Sequence, residues 1–387
     1  MPDGPATPST PARPLAVLRA MIDSVDHEIL QLFARRNGLV SEVAAFKRTT
    51  GKAIRDFQRE KELLEDRRNR AVPLGLSPEV IESIWRLTLW ASRDRQAALK
   101  AEVPENIEPK TIAIIGGHGE MGACIATMFA DLGHAVMIAD VDTQLTNEEA
   151  AKHADVVVVS VPIDATEEVI RAIGPLVRPE ALLMDLTSIK SAPVQAMIDS
   201  SEATVIGAHP LFGPTVHSLQ GQRIVLTPGR IKENDQWLPW LRTMLHARGL
   251  NALETTAESH DEAMAIVQVL THFSTEVLGR TLANLDIAVD ETLEFTSPVY
   301  LMDMLLTARH FAQSPDLYAS IQMHNPRTGE VADAFVDAAT EMRGIATSKD
   351  RGAFCEVFED VRRLFGPFTE QALEQSSFLI DRLVERA

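Results

Sequence analysis

Thr111-Ile112-Ala113-Ile114-Ile115-Gly116-Gly117-His118-Gly119-Glu120-Met121-Gly122 is the stretch from which the rest of the chain can be read. Its first five residues predict a buried strand. Glycines follow at once, then apolar residues at helical spacing: Ile125, Met128, Phe129 and Leu132. Gly117, Gly119 and Gly122, with Met121 between the last two, fit the strand–turn–helix fingerprint of a dinucleotide site. Gly117 is expected to permit the tight turn and Gly119 a close approach of backbone to a pyrophosphate. Gly122 is expected to let helix and strand pack closely, while the helix N-terminus offers donors and positive dipole to the phosphates. A second strand, His134 to Ala139, ends at Asp140, 18 residues beyond Gly122. An acid at that spacing suits a ribose 2′-hydroxyl and repels a 2′-phosphate, so NAD is expected rather than NADP.

The surrounding chain is long enough for two or three domains, at 387 residues. Its 55 acids against 37 bases give a net charge of −18, which argues against nucleic acid as a partner. Anionic substrates would then need local cationic pockets. Two cysteines, Cys124 and Cys355, give neither a disulfide framework nor a metal-ligand spacing. With no apolar run of membrane-spanning length and no signal-like start, a cytoplasmic location is expected, with no membrane partner. Residues 1–14, rich in Pro, Thr and Ala, read as a disordered tail.

From Leu15 to about Thr49 apolar residues recur at spacings of three and four. A helix of about 35 residues spans roughly 50 Å, too long for one small domain to cover. Such a helix usually pairs with another chain. Asp56 reads as the N-cap of a second helix, Phe57 to about Ala71. Ser77-Pro78-Glu79 opens a third, which carries Ile81, Ile84, Trp85 and Thr88 toward the core. Three helices over 15–100 make an all-α module with little core of its own, which suggests an intertwined homodimer. Polar residues interrupt its apolar faces. Arg36 and Lys47 share a face with Ile29, Val40 and Val43, and Ser92 and Gln96 continue the face of Trp85 and Thr88. Arg59 and Glu60 fall in the first turn of the second helix. Inward cations are costly unless paired, so they imply an anionic ligand.

These residues resemble a family. Leu18-Arg19-x-x-Ile22-Asp23-x-x-Asp26, Arg36, Lys47, Asp56-x-x-Arg59-Glu60, Ser92 and Gln96 keep the order and spacing of the all-helical chorismate mutases. The resemblance implies that Arg19, reaching into a partner's site, Arg36 and Arg59 hold the two carboxylates of chorismate. It implies that Lys47 and Gln96 bond the ether oxygen and that Asp56, Glu60 and Ser92 line the hydroxyl side. The residue types suit an intramolecular rearrangement, which needs no nucleophile, only a reactive conformer and donors at an oxygen gaining charge.

Residues 101–110 read as a linker, and 111–258 as an NAD-binding Rossmann domain. Further strands are expected at Asp155–Val159, Ala181–Asp185, Ala203–Ile206 and Gln222–Thr227. The third strand ends in Ser160-Val161-Pro162, where cofactor loops lie in this architecture. His209 is expected just past a strand, in a Gly/Pro-dense loop, where it could act as a general base. From Ser259 onward the pattern is helical, with His260 to about Asn284 as one helix and Leu301–Phe311, Ala332–Thr347, Phe354–Phe365 and Thr369 onward as others. Breaks are expected at Ser297-Pro298, Ser314-Pro315 and Gly366-Pro367. A helical cap over 259–387, shared across a dimer, would complete the fold.

The glycine stretch with Ser160-Val161-Pro162, Ser188-Ile189-Lys190, His209-Pro210-Leu211-Phe212-Gly213-Pro214, His260-Asp261, Ser297-Pro298-x-Tyr300 and Arg309-x-Phe311-Ala312-Gln313 is similar to prephenate dehydrogenase. With the helical module, the chain from Leu15 resembles the bifunctional chorismate mutase/prephenate dehydrogenases of tyrosine biosynthesis. The resemblance implies that His209 accepts the ring-hydroxyl proton of prephenate and that Ser188 bonds the same hydroxyl. It implies that Arg309 holds a substrate carboxylate, with Lys190, His260 and His272 around the pocket, and that tyrosine is a feedback inhibitor. Oxidation by NAD with loss of CO₂ would need no metal. An arogenate-preferring dehydrogenase is the alternative. A β-hydroxyacid dehydrogenase would want a lysine on the first cap helix, and Ser259–Asn284 contains none.

Overall fold

The computed structural model describes residues 13–50, 56–98, 108–216 and 218–384. The expected tail over 1–14 and linker over 101–110 lie largely outside them. The N-terminal module holds α1 (Leu15–Thr50), α2 (Phe57–Ala71) and α3 (Pro78–Ala98). The central part alternates β1 (Thr111–Ile115), α4 (Glu120–Asp131), β2 (Ala135–Ala139), α5 (Asn147–His153), β3 (Val156–Val159), α6 (Ile163–Ile173), β4 (Leu182–Asp185), α7 (Ser191–Ser200), β5 (Thr204–Pro210), β6 (Arg223–Arg230), α8 (Trp237–Ala247) and β7 (Asn251–Glu254). The C-terminal part is helical: α9 (Ala257–Met264), α10 (Thr271–Asn284), α11 (Val289–Leu293), α12 (Pro298–Phe311), α13 (Pro315–His324), α14 (Thr328–Ser348), α15 (Arg351–Phe365) and α16 (Phe368–Val384).

The seven strands form one sheet in the order β2-β1-β3-β4-β5-β6-β7, parallel except where β5 meets β6. Both faces of β1, β3 and β4 are covered, so these strands read as unbroken apolar runs rather than alternating ones. Ile112 and Ile114 face a core built with α4 and α8, through Ile125, Met128, Phe129, Leu241 and Met244. Ala113 and Ile115 face the other, built with α5, α6 and α7 through Ala150, Ile170, Ile173 and Met197. The order reverses at β1, which sends β2 one way and β3 the other. In open α/β sheets ligands bind outside the strand C-termini at such a point.

Several expectations change. The turn glycine is Gly116, not Gly117: Gly116 has φ +79° and its absent Cβ would lie 2.5 Å from Ser160 O. Gly117 is instead pressed against Ile138, where a Cβ would come within 2.7 Å. His209 is not in a loop. It lies inside β5, opposite Val225, because antiparallel pairing with β6 extends the strand through Pro210. The expected helix His260–Asn284 is broken by a π-helical turn at Ala265–Leu270. On α3, Ile84 points outward while Ser83, Thr88 and Ser92 are buried. The short elements β7, α11 and α13 went unassigned in the sequence. For α13 the Ser-Pro pair that marks a break also starts the next helix, with Ser314 capping Leu317 N–H and Pro315 at the first turn.

A Cβ on Gly122 would stand 2.4 Å from Gly116 O and 2.9 Å from Gly117 Cα, both backbone atoms. Gly122→Ala is therefore expected to force the turn away from α4, at about 1–3 kcal/mol, the usual scale of overpacking. Calorimetry should show the melting temperature falling by about 2–4 °C per kcal/mol. Nucleotide affinity should fall with it.

Candidate active sites

The C-terminal ends of β1, β3, β4 and β5 line one edge of the sheet in neighbouring positions. They deliver Gly116, Ser160, Ser188 and His209 to that edge. Gly119 caps α4 with no side-chain hydrogen bond, so the first-turn N–H groups are left to an anion. Pro162 stands in the same place before α6, and Met121 packs against the core beneath the turn. Asp140 at the end of β2 accepts His118 N–H at 2.9 Å and Val141 N–H at 2.8 Å, which pins the glycine turn to the second strand. The uncapped helix start, the glycine-rich turn and the acid at the end of β2 together fit a dinucleotide: pyrophosphate on the amides, ribose at Asp140.

Along the same edge lies a buried polar network. Lys190 Nζ bonds Asp185 Oδ2, and donates to Ala208 O at 2.9 Å. Neither ionic side chain of this pair is exposed. Asp261, on α9, accepts Lys190 N–H at 2.8 Å and Ser191 N–H at 2.9 Å. Its Oδ1 also lies 2.9 Å from His260 Nδ1. Burial alone would push the Asp261 carboxyl up, but these bonds outweigh it and hold it below the usual range. His260 Nε2 lies 2.8 Å from His209 Nδ1. The remaining His209 nitrogen, Nε2, faces Gln268 Nε2 at 3.4 Å, from the π-helical turn. Burial, then His260 and Lys190, push the His209 pKa well below that of a free imidazole, against a smaller opposing pull from Asp261. It is a neutral base at neutral pH. Lys190 and His260, both expected around the substrate, are sealed inside with their polar atoms on protein partners. Ser188 stays half-buried beyond β4.

His272 and Arg309 belong to a separate cluster in the helical cap. His272 meets Tyr318 edge-on at 4.7 Å, Tyr318 stacks on His310 at 3.9 Å, and His310 Nε2 lies 3.0 Å from Glu276. His272 Nδ1 is buried with no hydrogen-bond partner among the described residues. Arg309 is exposed on α12.

In the helical module α1 packs on α3, and Arg36, Val40, Ala44 and Lys47, less exposed than most of α1, share one face over three turns. Arg36 Nη1 donates to Ser92 Oγ, joining the two helices. Burial and the nearby Arg67 cation both lower the Arg36 pKa. Glu60 accepts from Arg93 at 2.6 Å. Asp56 turns back onto its own helix, capping Arg59 N–H at 3.0 Å. Arg19 and Arg59 are exposed. Gln96 lies in the last turns of α3, and its side chain is outside the described residues. The sequence reading missed Asp185, Asp261, Gln268, Arg67 and Arg93 as site residues. Arg93 carried no signal, since it sits about 100° round the helix from Ser92 and only the fold shows α2 there.

Comparison with known proteins bears on all three parts. Residues 18–97 match the family model of type II chorismate mutase, 121–253 that of the prephenate dehydrogenase nucleotide-binding domain, and 256–360 that of the prephenate dehydrogenase dimerization domain. A T-protein of Haemophilus influenzae is 34% identical over 367 residues, covering 94% of this chain and 96% of that protein. One of Enterobacter agglomerans is 34% identical over 368 residues, covering 95% and 97%. A crystal structure of prephenate dehydrogenase from A. aeolicus, in complex with hydroxyphenyl propionate and NAD+, shares the fold of 67% of this chain and covers 98% of its own, at TM-score 0.55 and 17% identity. Matched over 94–95% of its length by T-proteins at 34% identity, and by mutase and then dehydrogenase family models in order, the chain belongs to the T-protein family of bifunctional chorismate mutase/prephenate dehydrogenases.

Proposed function

We propose that the two activities of this chain run in two separate pockets, each worked by the residues described above. Chorismate is rearranged to prephenate in the helical module, and prephenate is oxidised to 4-hydroxyphenylpyruvate at the sheet edge. The observation that carries the second assignment is the meeting of the uncapped start of α4 and the buried imidazole of His209 along one row of strand ends. Bound there, NAD supplies the hydride acceptor. His209 Nε2 takes the ring-hydroxyl proton as the carbinol carbon loses hydride. Loss of the ring carboxylate as CO₂ returns its electron pair to the ring. The resulting phenolate recovers the proton from His209. Ser188 holds the same hydroxyl, and Arg309, with His272, receives the carboxylate of the side chain.

In the module, Lys47 donates to the ether oxygen of chorismate with Gln96, while Arg36 and Arg59 hold carboxylates. Asp56, Glu60 and Ser92 stand on the hydroxyl side, with Glu60 held in place by Arg93. Arg19 lies 17 residues before Arg36 on one straight helix, about 25 Å away. One chain cannot bring both to one substrate. That distance, with Leu18, Ile22, Val25 and Ile29 exposed along the same helix, supports a homodimer in which Arg19 completes the partner's site. Prephenate is the preferred dehydrogenase substrate because the attached module makes it. Tyrosine, a phenol with a carboxylate-bearing side chain like the product, is read as a competitor for the same pocket. Among the described residues no helix is long and apolar enough to cross a membrane, and a cytoplasmic location suits two free thiols.

Chorismate plus NAD should yield NADH, followed by absorbance, and kcat/KM should favour prephenate over arogenate. NADH from neither chorismate nor prephenate overturns this reading. Lys47→Ala should lower mutase kcat by roughly 10²–10³, the scale for removing one donor at developing charge, and leave prephenate oxidation nearly unchanged. His209→Asn should do the reverse, lowering dehydrogenase kcat by roughly 10²–10⁴.

A pH profile gives an independent check. Because burial, His260 and Lys190 depress the His209 pKa against Asp261, the acid limb of dehydrogenase kcat/KM should fall below 6.5, the ordinary histidine value. An acid limb at or above that value would mean that His209 is not the titrating base.

A further inference from the structure

The His209 imidazole can serve as a base only if its substrate-facing nitrogen carries a lone pair. Neutral histidine has two tautomers, and the one present is set by what the other nitrogen bonds. Here the other nitrogen, Nδ1, faces His260 Nε2 at 2.8 Å. His260 Nδ1 in turn faces Asp261 at 2.9 Å. Asp261 is the end of this line. Its carboxylate already accepts two backbone N–H groups from the start of α7, and a carboxylate has no proton to give. His260 must therefore donate through Nδ1, which leaves its Nε2 as acceptor. His209 must then donate through Nδ1, which leaves Nε2 bare. The amide of Gln268, with Nε2 toward His209 Nε2, agrees with that direction.

We propose that Asp261 is a positioning residue for prephenate oxidation, acting through His260 to hold His209 with Nδ1 protonated and Nε2 free for the substrate hydroxyl. The proposal rests on His209 being the base. It makes His260 a link in a relay and not a substrate contact, in keeping with its exposure of only 1%. It also gives the relay a second task. When His209 holds the substrate proton, its positive charge sits in a buried site beside the Lys190 ammonium. The Asp261 carboxylate, two hydrogen bonds away, is the counter-charge in line with it. No proton is consumed overall, because the phenolate takes back what the hydroxyl gave. Asp185 lies behind Lys190 and is committed to it. Of the charged groups packed around His209, Asp261 is thus the one coupled to it by hydrogen bonds.

The test uses the full-length protein. Asp261→Asn keeps the shape but puts an amide donor among three donors, so either one bond is lost or the relay reverses and His209 Nε2 gains the proton. Dehydrogenase kcat should fall by roughly 10²–10⁴, the range for a general base and for the orienting acid of a His-Asp pair. NAD affinity and the mutase rate should stay unchanged, which also reports that the variant is folded. Asn325→Ala is the control, because Asn325 donates to the backbone carbonyl of Asp261 at 3.0 Å and touches no part of the relay. It should leave kcat near the wild-type value. An equal loss in Asn325→Ala would make the role one of helix placement and overturn the proposal.

The tautomer can be read directly by long-range ¹⁵N–¹H correlation in protein labelled with [¹⁵N]histidine, with His209 assigned by its absence in His209→Asn. An unprotonated Nε2 on His209 in the wild-type enzyme is expected, and a protonated one sinks the proposal even if Asp261→Asn does not fold. Wild-type kcat in Asp261→Asn alongside an inactive His209→Asn would overturn the relay and leave the base assignment standing. Wild-type kcat in His209→Asn would remove both.

Discussion

A lysine and an aspartate with no exposure to water hold the working edge of the sheet together. Asp185 ends β4 and Lys190 stands at the start of α7, and the same ammonium reaches the carbonyl of Ala208 on β5. An ion pair so placed carries a desolvation penalty that its attraction repays only with good geometry and further hydrogen bonds. They are present on one oxygen only: Thr187 N–H and Oγ1 also bond Asp185 Oδ2, at 3.0 and 2.5 Å, while Oδ1 is buried with no partner among the described residues. The pair therefore serves placement more than stability. It fixes the spacing of the β4 and β5 ends, and with it the distance between Ser188 and His209. Through the backbone of Lys190 it also sets where Asp261, and hence α9 and the helical cap, meets the sheet. Losing one partner would leave a bare charge in the interior, which costs far more than losing both.

The parts of this architecture that follow from local chemistry were legible in the sequence. A five-residue apolar run, glycines and an amphipathic helix define the start of the sheet because each is a short-range steric or periodic requirement. The N-cap of α2 at Asp56 and the opening of α3 at Pro78 were legible for the same reason. What was not legible depended on partners distant in the chain. His209 looked like a loop residue because Gly and Pro follow it, whereas pairing with β6, a dozen or more residues on, keeps it in a strand. Lys190 and His260 looked like pocket residues because they are polar and sit in the right motifs. Their partners, Asp185, Asp261 and His209, come from three different elements, β4, α9 and β5. The π-helical turn has no periodic signature that a six-residue stretch could reveal. It matters all the same, since π-turns re-aim side chains near functional sites, and this one carries Gln268 to His209.

The two pockets are built on opposite principles. At the sheet edge the polar groups are deep, mutually bonded and fixed before any ligand arrives, which suits a reaction that must place one lone pair. In the helical module the cations lie half-buried or exposed along straight helices. Hydrogen bonds such as Arg36 to Ser92 and Arg93 to Glu60 join them across the helices. Burial and the nearby Arg67 cation already lower the Arg36 pKa, so a substrate carboxylate arriving there would relieve that repulsion as well as serve the chemistry.

The length of α1 has a consequence for how the protein comes into being. Its 36 residues are made before the sheet that follows them, and Leu15, Ile22, Leu30 and Leu32 remain 58–65% exposed. Two partner helices within the module are too short to cover them. Newly made chains therefore carry an open apolar rod while the slower, long-range pairing of the sheet is still under way. The last step in burying that rod is an encounter, so its rate rises with the concentration of chains, and below some concentration aggregation or chaperone capture competes with it.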